Sequence, residues 1–222
     1  LRLNRRKVTG EEFLARTPFL LKRIPWIDNG YTYGEETPAK DPYYYAGLYY
    51  LQEPSAMTPA NRLAPEPGDY VLDLCAAPGG KATELGARLN GEGLLLANDI
   101  SNSRAKALLK NLELMGIPNI YVTSETSEKL AKVLPEFFDK ILVDAPCSGE
   151  GMFRKNDEAI SQWSPENVAL CAQRQQEILE QADLMLRIGG RMVYSTCTFS
   201  PEEDEQCILQ FLDSHPIYRL IQ

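Results

Sequence analysis

Five short apolar runs recur through the second two-thirds of the chain, and helical spacing follows most of them. VLDLC (71–75) leads into GGKATELGARL, GLLLAND (93–99) into SRAKALLKNLELMG, and NIYVTSE (119–125) into a short helical run. KILVDAP (140–146) opens a long loop, Ser164-Pro165-Glu166 starts a helix to about Arg187, and RMVYSTC (191–197) precedes a last helix. Apolar strands alternating with amphipathic helices predict crossover units, hence an α/β doubly wound sheet of five parallel strands covered on both faces. Residues 1 to about 60 differ in texture, with a basic start and then prolines and tyrosines through PYYYAGLYYLQEPSAMTP. The expected division is an N-terminal segment, 1–60, and a sheet core, 61–222.

Ligands of such sheets bind beyond the carboxyl ends of the strands. The predicted strand ends carry Cys75 with a glycine loop, Asp99, Glu125, Asp144 to Cys147, and Thr196-Cys197. The most reactive residues thus converge on one rim.

Composition narrows the chemistry. With 222 residues and 44% hydrophobic content, one substantial core and a small second unit can form. Five cysteines without a Cys-x-x-Cys pair, beside a single histidine, His215, argue against a zinc site, and no metal is expected. Disulfides are equally unpromising, which suggests a reducing, cytoplasmic compartment. No stretch approaches a membrane span, no charged-then-apolar leader is expected, and a monomer is expected. The chain begins with Leu1 rather than Met, so a missing start is expected. A net charge of −8 and a pI near 4.9 argue, alone, against a nucleic-acid partner. The basic residues cluster, however: Arg2, Arg5, Arg6 and Lys7, then Lys22 and Arg23, then Arg154 and Lys155.

The first-strand loop reads Cys75, Ala76, Ala77, Pro78, Gly79, Gly80, Lys81. Small residues here let a ligand approach backbone at a helix start. A phosphate-binding P-loop needs glycine where Cys75 stands and Ser or Thr where Ala82 stands. Asp99, ending the second strand, suits ribose hydroxyls. A nucleoside cofactor without phosphates fits, and S-adenosyl-L-methionine is the obvious one. The fourth strand ends in DAPCSGEGMFRK (144–155), where Phe153 replaces the arginine of a phosphatase Cys-x5-Arg loop.

LDLCAAPGGKATEL, LVDAPCSGEGMFRK and VYSTCTFSPEEDE resemble three consecutive motifs of the NOL1/NOP2/Sun family of RNA cytosine-5 methyltransferases, the second especially like the bacterial small-subunit ribosomal RNA branch. The resemblance covers nearly the whole chain, and residues 1–40 look like the end of an RNA-contacting subdomain. It implies a methyltransferase sheet, S-adenosyl-L-methionine as cofactor and RNA, ribosomal RNA above all, as partner. It further implies Cys197 as nucleophile, Cys147 as the residue assisting release, and Asp144 at the cytosine edge or the cofactor. Residues 75–81 and Asp99 would hold the cofactor. Ungapped matching puts Thr126, preceded by Glu125, where relatives carry an adenine-contacting Asp. YRLIQ looks like a sixth strand, and the core is expected to be truncated at its C-terminal end.

The chemistry explains a thiol without a histidine. Cytosine carbon 5 becomes nucleophilic only after a thiolate adds at carbon 6, which requires a depressed thiol pKa and a proton donor or acceptor at the base. Spacing alone does not rank the cysteines, since DNA cytosine-5 methyltransferases use a Pro-Cys after the fourth strand, here Cys147. Two rival readings stand beside this one: a non-catalytic RNA-binding assembly factor and a DNA methyltransferase. Glu202 to Glu205 read as dipole complements of a helix capped by Ser200, with Glu203 at capping-box spacing. Cys171 and Cys207 read as packing residues, the tyrosines at 43–45, 49 and 50 as packing for the N-terminal segment, and Arg154 and Lys155 as phosphate contacts.

Overall fold

The apolar runs form five parallel strands: β1 (Tyr70–Asp73), β2 (Leu94–Asn98), β3 (Ile120–Thr123), β4 (Phe138–Asp144) and β5 (Leu186–Ser195). The structure is a computed structural model that describes residues 1–155 and 157–221. Spatial order is β3-β2-β1-β4-β5, so the chain reverses direction across the sheet between β1 and β4. That switch point opens the crevice in which open α/β sheets bind ligands.

Alternation along each strand feeds two cores. Val71, Leu95, Ala97 and Leu142 face α1 (Gly80–Leu89) and α2 (Asn102–Met115), packing with Leu85, Leu89, Leu108 and Leu112. Leu72, Leu96, Ile141 and Val143 face α3 (Ser127–Val133) and α4 (Pro165–Met185), packing with Leu130, Ile178, Ala182 and Met185. Ser164 caps α4 by accepting from the Asn167 N–H at 3.1 Å, as the Ser-Pro-Glu signal predicts.

Three expectations are corrected. α4 ends at Met185, and β5 runs from Leu186, with an irregularity opposite Phe138–Lys140. α5 (Glu205–Ser214) begins at Glu205, because residues 201–204 form turns. Residues 218–221 carry no strand; the Tyr218 hydroxyl instead donates to Asp183 at 2.7 Å and its ring packs edge-on against Phe211.

The N-terminal segment has its own small core, Leu1, Leu3, Phe13, Tyr31 and Tyr49, flanked by Tyr43 and Tyr44. Two antiparallel pairs frame it, Arg2–Leu3 with Tyr49–Tyr50 and Lys22–Arg23 with Tyr31–Thr32. Arg2 of the basic cluster is buried and reaches α1: its guanidinium donates to Gln52, Gly80 O and Thr83, and its Nε lies 3.1 Å from Glu84. Helix Pro54–Leu63 then leads the chain to β1.

Candidate active site at the sheet rim

The β1–α1 turn is braced from both sides. Ala76 N–H donates to Asn98 O at 2.7 Å and Gly79 N–H to Ala76 O at 2.8 Å. Arg104 donates to Ala77 O and Asn111 to Pro78 O. Gly79 sits at φ +110°, where a Cβ would also stand 3.1 Å from Leu108 Cδ1. Loop and Tyr50–Gln52 wall a cleft of about 240 Å³ that reaches Asp73, Cys75, Lys81 and Asp144.

Asp73 is the most informative group in this cleft. It is wholly buried, and neither carboxylate oxygen has a partner among the described residues. Desolvation above all, and repulsion from Asp144, push its pKa up to about 8. Such a group is costly unless something with donors fills the space. The adjacent Cys75 thiol is pushed up to about 12 by burial, which leaves it an inert wall.

Asp99 is buried at the end of β2, oriented by Ser101 N–H at 3.0 Å and Arg104 at 3.3 Å. Thr126 is the N-cap of α3, its hydroxyl accepting from Lys129 N–H at 3.3 Å. Glu125 pairs with Lys129. Asn98 ties these ends together: its amide donates to Glu125 O, and its oxygen accepts from Glu125 N–H and the Thr123 hydroxyl.

At the switch point Asp144 uses both oxygens, accepting from Lys81 Nζ at 2.5 Å and from Ser195 Oγ at 2.7 Å. Beyond it, the sulfurs of Cys147 and Cys197 lie 3.3 Å apart, and Cys197 N–H points at Cys147 Sγ, also at 3.3 Å. Cys197 is exposed and Cys147 half-buried. The hydrogen bond from the Cys147 thiol lowers the Cys197 pKa to about 7, against desolvation and Asp144 and with help from Lys81. The same bond pushes the Cys147 thiol up, so Cys147 keeps its proton while Cys197 ionises. Gly151 N–H donates to Cys197 O at 2.8 Å, and a Cβ at Gly151 would come within 2.7 Å of that oxygen.

The rim therefore gathers Cys75–Lys81, Asp144, Cys147 and Cys197, with Asp99 and Thr126 further along the sheet. Lys155 pairs with Glu53 at 2.5 Å. Cys171 and Cys207 are buried, as their helical positions predict. The sequence reading missed Asp73, whose signal was an acid inside the apolar run VLDLC. It misread Glu203, which is fully buried and bonded to the Cys147 loop rather than capping a helix.

Fold and rim together define a Rossmann-like sheet of the methyltransferase type. The chain belongs to the 16S rRNA methyltransferase RsmB/F family, which it matches over residues 60–222; residues 1–54 match the N-terminal domain of 16S rRNA methyltransferase RsmF. Ribosomal RNA small subunit methyltransferase F of Shigella dysenteriae is 39% identical over 97% of this chain. Its counterpart in Escherichia coli O7:K1 is likewise 39% identical. The chain spans 47% of each of these relatives. A methyltransferase homolog from Pyrococcus horikoshii superposes with a TM-score of 0.86 at 34% identity, over 96% of this chain and 68% of that one. NSun6 from Pyrococcus horikoshii, solved with SFG, gives 0.74 at 30% identity, over 81% of this chain and 46% of that one.

Proposed function

We propose that this chain carries the catalytic core of an enzyme that methylates carbon 5 of cytosine in RNA, 16S ribosomal RNA being the substrate the relatives' names indicate, with S-adenosyl-L-methionine as cofactor. The observation that carries the reading is the thiol pair: one exposed, acidified sulfur and one protonated sulfur, 3.3 Å apart, beside the glycine-loop cleft.

The residues present fit the cofactor. Asp73, with two orphaned oxygens in the cleft wall, matches the ammonium of an amino-acid end. Asp99 is oriented for ribose hydroxyls, and NSun6, a structural relative, was solved with SFG, an analogue of S-adenosyl-L-methionine. When bound, the cofactor supplies the methyl group that carbon 5 takes up.

Cys197 thiolate adds to carbon 6 of a cytosine flipped out of its stack, and the ring's electrons shift toward carbon 5. Asp144, fixed by Lys81 and Ser195, retains lone pairs to accept from the exocyclic amine. Once the Cys197 sulfur is bonded to the base, the thiolate that held the Cys147 proton is gone. The largest cause that raised the Cys147 pKa disappears with it, so Cys147 releases its own proton to solvent and its thiolate takes the carbon-5 proton. The carbon–sulfur bond to Cys197 then breaks and the pyrimidine ring is restored.

RNA carrying 5-fluorocytosine tests this reading, because fluorine at carbon 5 blocks the final elimination. With S-adenosyl-L-methionine present, a covalent RNA–protein adduct is expected with the wild type and with Cys147→Ser, and none with Cys197→Ser. An adduct that survives Cys197→Ser and vanishes in Cys147→Ser reverses the roles. No adduct and no cofactor affinity refute the enzyme reading.

A further inference from the structure

Glu203 lies outside the cofactor cleft, yet every polar contact of its side chain runs toward the thiols. Its Oε2 accepts from Ser148 N–H at 3.0 Å and from the Gln175 amide at 2.8 Å, and its Oε1 accepts from the Ser148 hydroxyl. Gln175, fully buried in α4, also donates to Pro146 O at 3.0 Å. Both neighbours of Cys147 are thereby tied to one carboxylate. Ser148 Oγ, with its proton committed to Glu203, accepts from Thr198 Oγ1 at 2.9 Å, so the next residue after Cys197 joins the same network. The adjacent Asp204 accepts from Thr196 Oγ1 at 2.7 Å on the other side of Cys197. Glu203 itself is anchored through its backbone, its N–H donating to Ser200 O and its carbonyl accepting from the Tyr194 hydroxyl.

A carboxylate with three neutral donors and no cation among these contacts is an expensive way to hold a turn. An exposed cap would stabilise a helix start at far lower cost. What the arrangement does achieve is rigid coupling of two strand-end loops that are 50 residues apart in sequence. Gly151 N–H to Cys197 O at 2.8 Å and Phe199 N–H to Glu150 at 3.0 Å tie the far side of the Cys147 loop to the Cys197 tip, whereas the Glu203 network is the tie that runs through the residues flanking Cys147 itself.

We propose that Glu203 is a positioning residue that sets the spacing of the two thiols, acting through Ser148 and Thr198. The proposal rests on the reading of Cys147 and Cys197 as a working pair. Two effects of opposite sign separate it from a purely electrostatic role. Negative charge at Glu203 slightly opposes ionisation of Cys197, whereas the Cys147 hydrogen bond is the largest cause that favours it. Removing Glu203 lowers the Cys197 pKa if only charge matters and raises it if spacing matters.

The test measures pH profiles of Cys197 alkylation by iodoacetamide, read by mass spectrometry on the full chain, for wild type, Glu203→Gln and Ser148→Ala. Ser148→Ala keeps the carboxylate and the backbone bond and removes the hydroxyl that links Glu203 Oε1 to Thr198, so it guards against a variant that fails to fold. Both variants are expected to move the midpoint upward, with alkylation at pH 7 slowed about tenfold as the thiol returns toward ~8.5. Affinity for S-adenosyl-L-methionine, by calorimetry, should stay within about twofold, and kcat should fall at least about tenfold with little change in KM for the cofactor. An unchanged or lowered midpoint overturns the proposal, and so does a parallel loss of cofactor affinity, which marks general support of the fold. The alkylation readout needs neither RNA nor turnover. A wild type that traps no 5-fluorocytosine therefore refutes the enzyme reading without deciding the midpoint result.

Discussion

Cys147 and Cys197, delivered by different strand ends, bring their sulfurs within hydrogen-bond distance, 3.3 Å. The bond makes the two sulfurs chemically unequal, although their residue type is the same. Cys197 should alkylate with a midpoint near pH 7, while Cys75, Cys171 and Cys207 stay unmodified at that pH. In Cys147→Ala the donor is gone, and the midpoint should climb toward the ordinary thiol range, about tenfold slower at pH 7. Peptide mapping after timed iodoacetamide quenching checks this. A Cys147→Ala profile that overlays the wild type would show that the Cys147 thiol does not acidify Cys197.

The same proximity makes the pair oxidisable. A thiolate beside a thiol needs to close only to about 2.0 Å to form a disulfide. Diamide, which takes up the two protons and two electrons, is expected to link Cys147 to Cys197. A denatured thiol count should drop from five to three. Dithiothreitol should restore both thiols, and the cofactor cleft should keep its affinity. A crosslink through Cys75 instead would contradict the geometry.

The sheet was legible because buried parallel strands write themselves as apolar runs, and their ends carried the reactive residues in order. Side-chain destinations were less legible. Arg2 lies in a basic cluster that reads as solvated or nucleic-acid-facing, and only the tertiary approach of α1 reveals it as a buried clamp. Glu203 follows Ser200 and Pro201 in a pattern equally suited to a helix cap, and the choice depends on Ser148, a residue far away in sequence. Asp73 was hidden by its apolar neighbours, whose burial also makes its carboxylate unusual.

Arg2 offers a stability measurement. Its substitution by alanine removes the buried partner of Glu84 and three further hydrogen bonds. Glu84 keeps Arg88 at 2.9 Å and Arg5 at 3.4 Å, so the loss should sit at the lower end of the range for broken buried pairs, about 3 kcal/mol. At this size, Tm should fall by roughly 6–12 °C. Thermal melts followed by circular dichroism decide it, and a shift under ~2 °C would mean that the clamp contributes little.

Asp73 couples binding, pH and stability. Its folded pKa, about 8, lies above the ordinary 3.8. Between these values the folded protein holds a proton that the unfolded chain has lost. Its contribution to stability is therefore full below about pH 4 and declines as pH rises through 8. Asp73→Asn removes the titration, so the variant should match wild type near pH 4 and exceed it at pH 8, by at least ~1 kcal/mol or about 2–4 °C in Tm. Binding should respond in the opposite direction, because an ammonium partner requires the carboxylate. S-adenosyl-L-methionine affinity of Asp73→Asn should drop about 10- to 100-fold. At pH 7, wild-type binding should release close to one proton, visible as a binding enthalpy that differs between buffers of different ionisation enthalpy. A variant that gains no stability at pH 8 would show that the buried carboxyl is not strained. Buffer-independent enthalpy with undiminished affinity would show that the cofactor's amino group is held elsewhere.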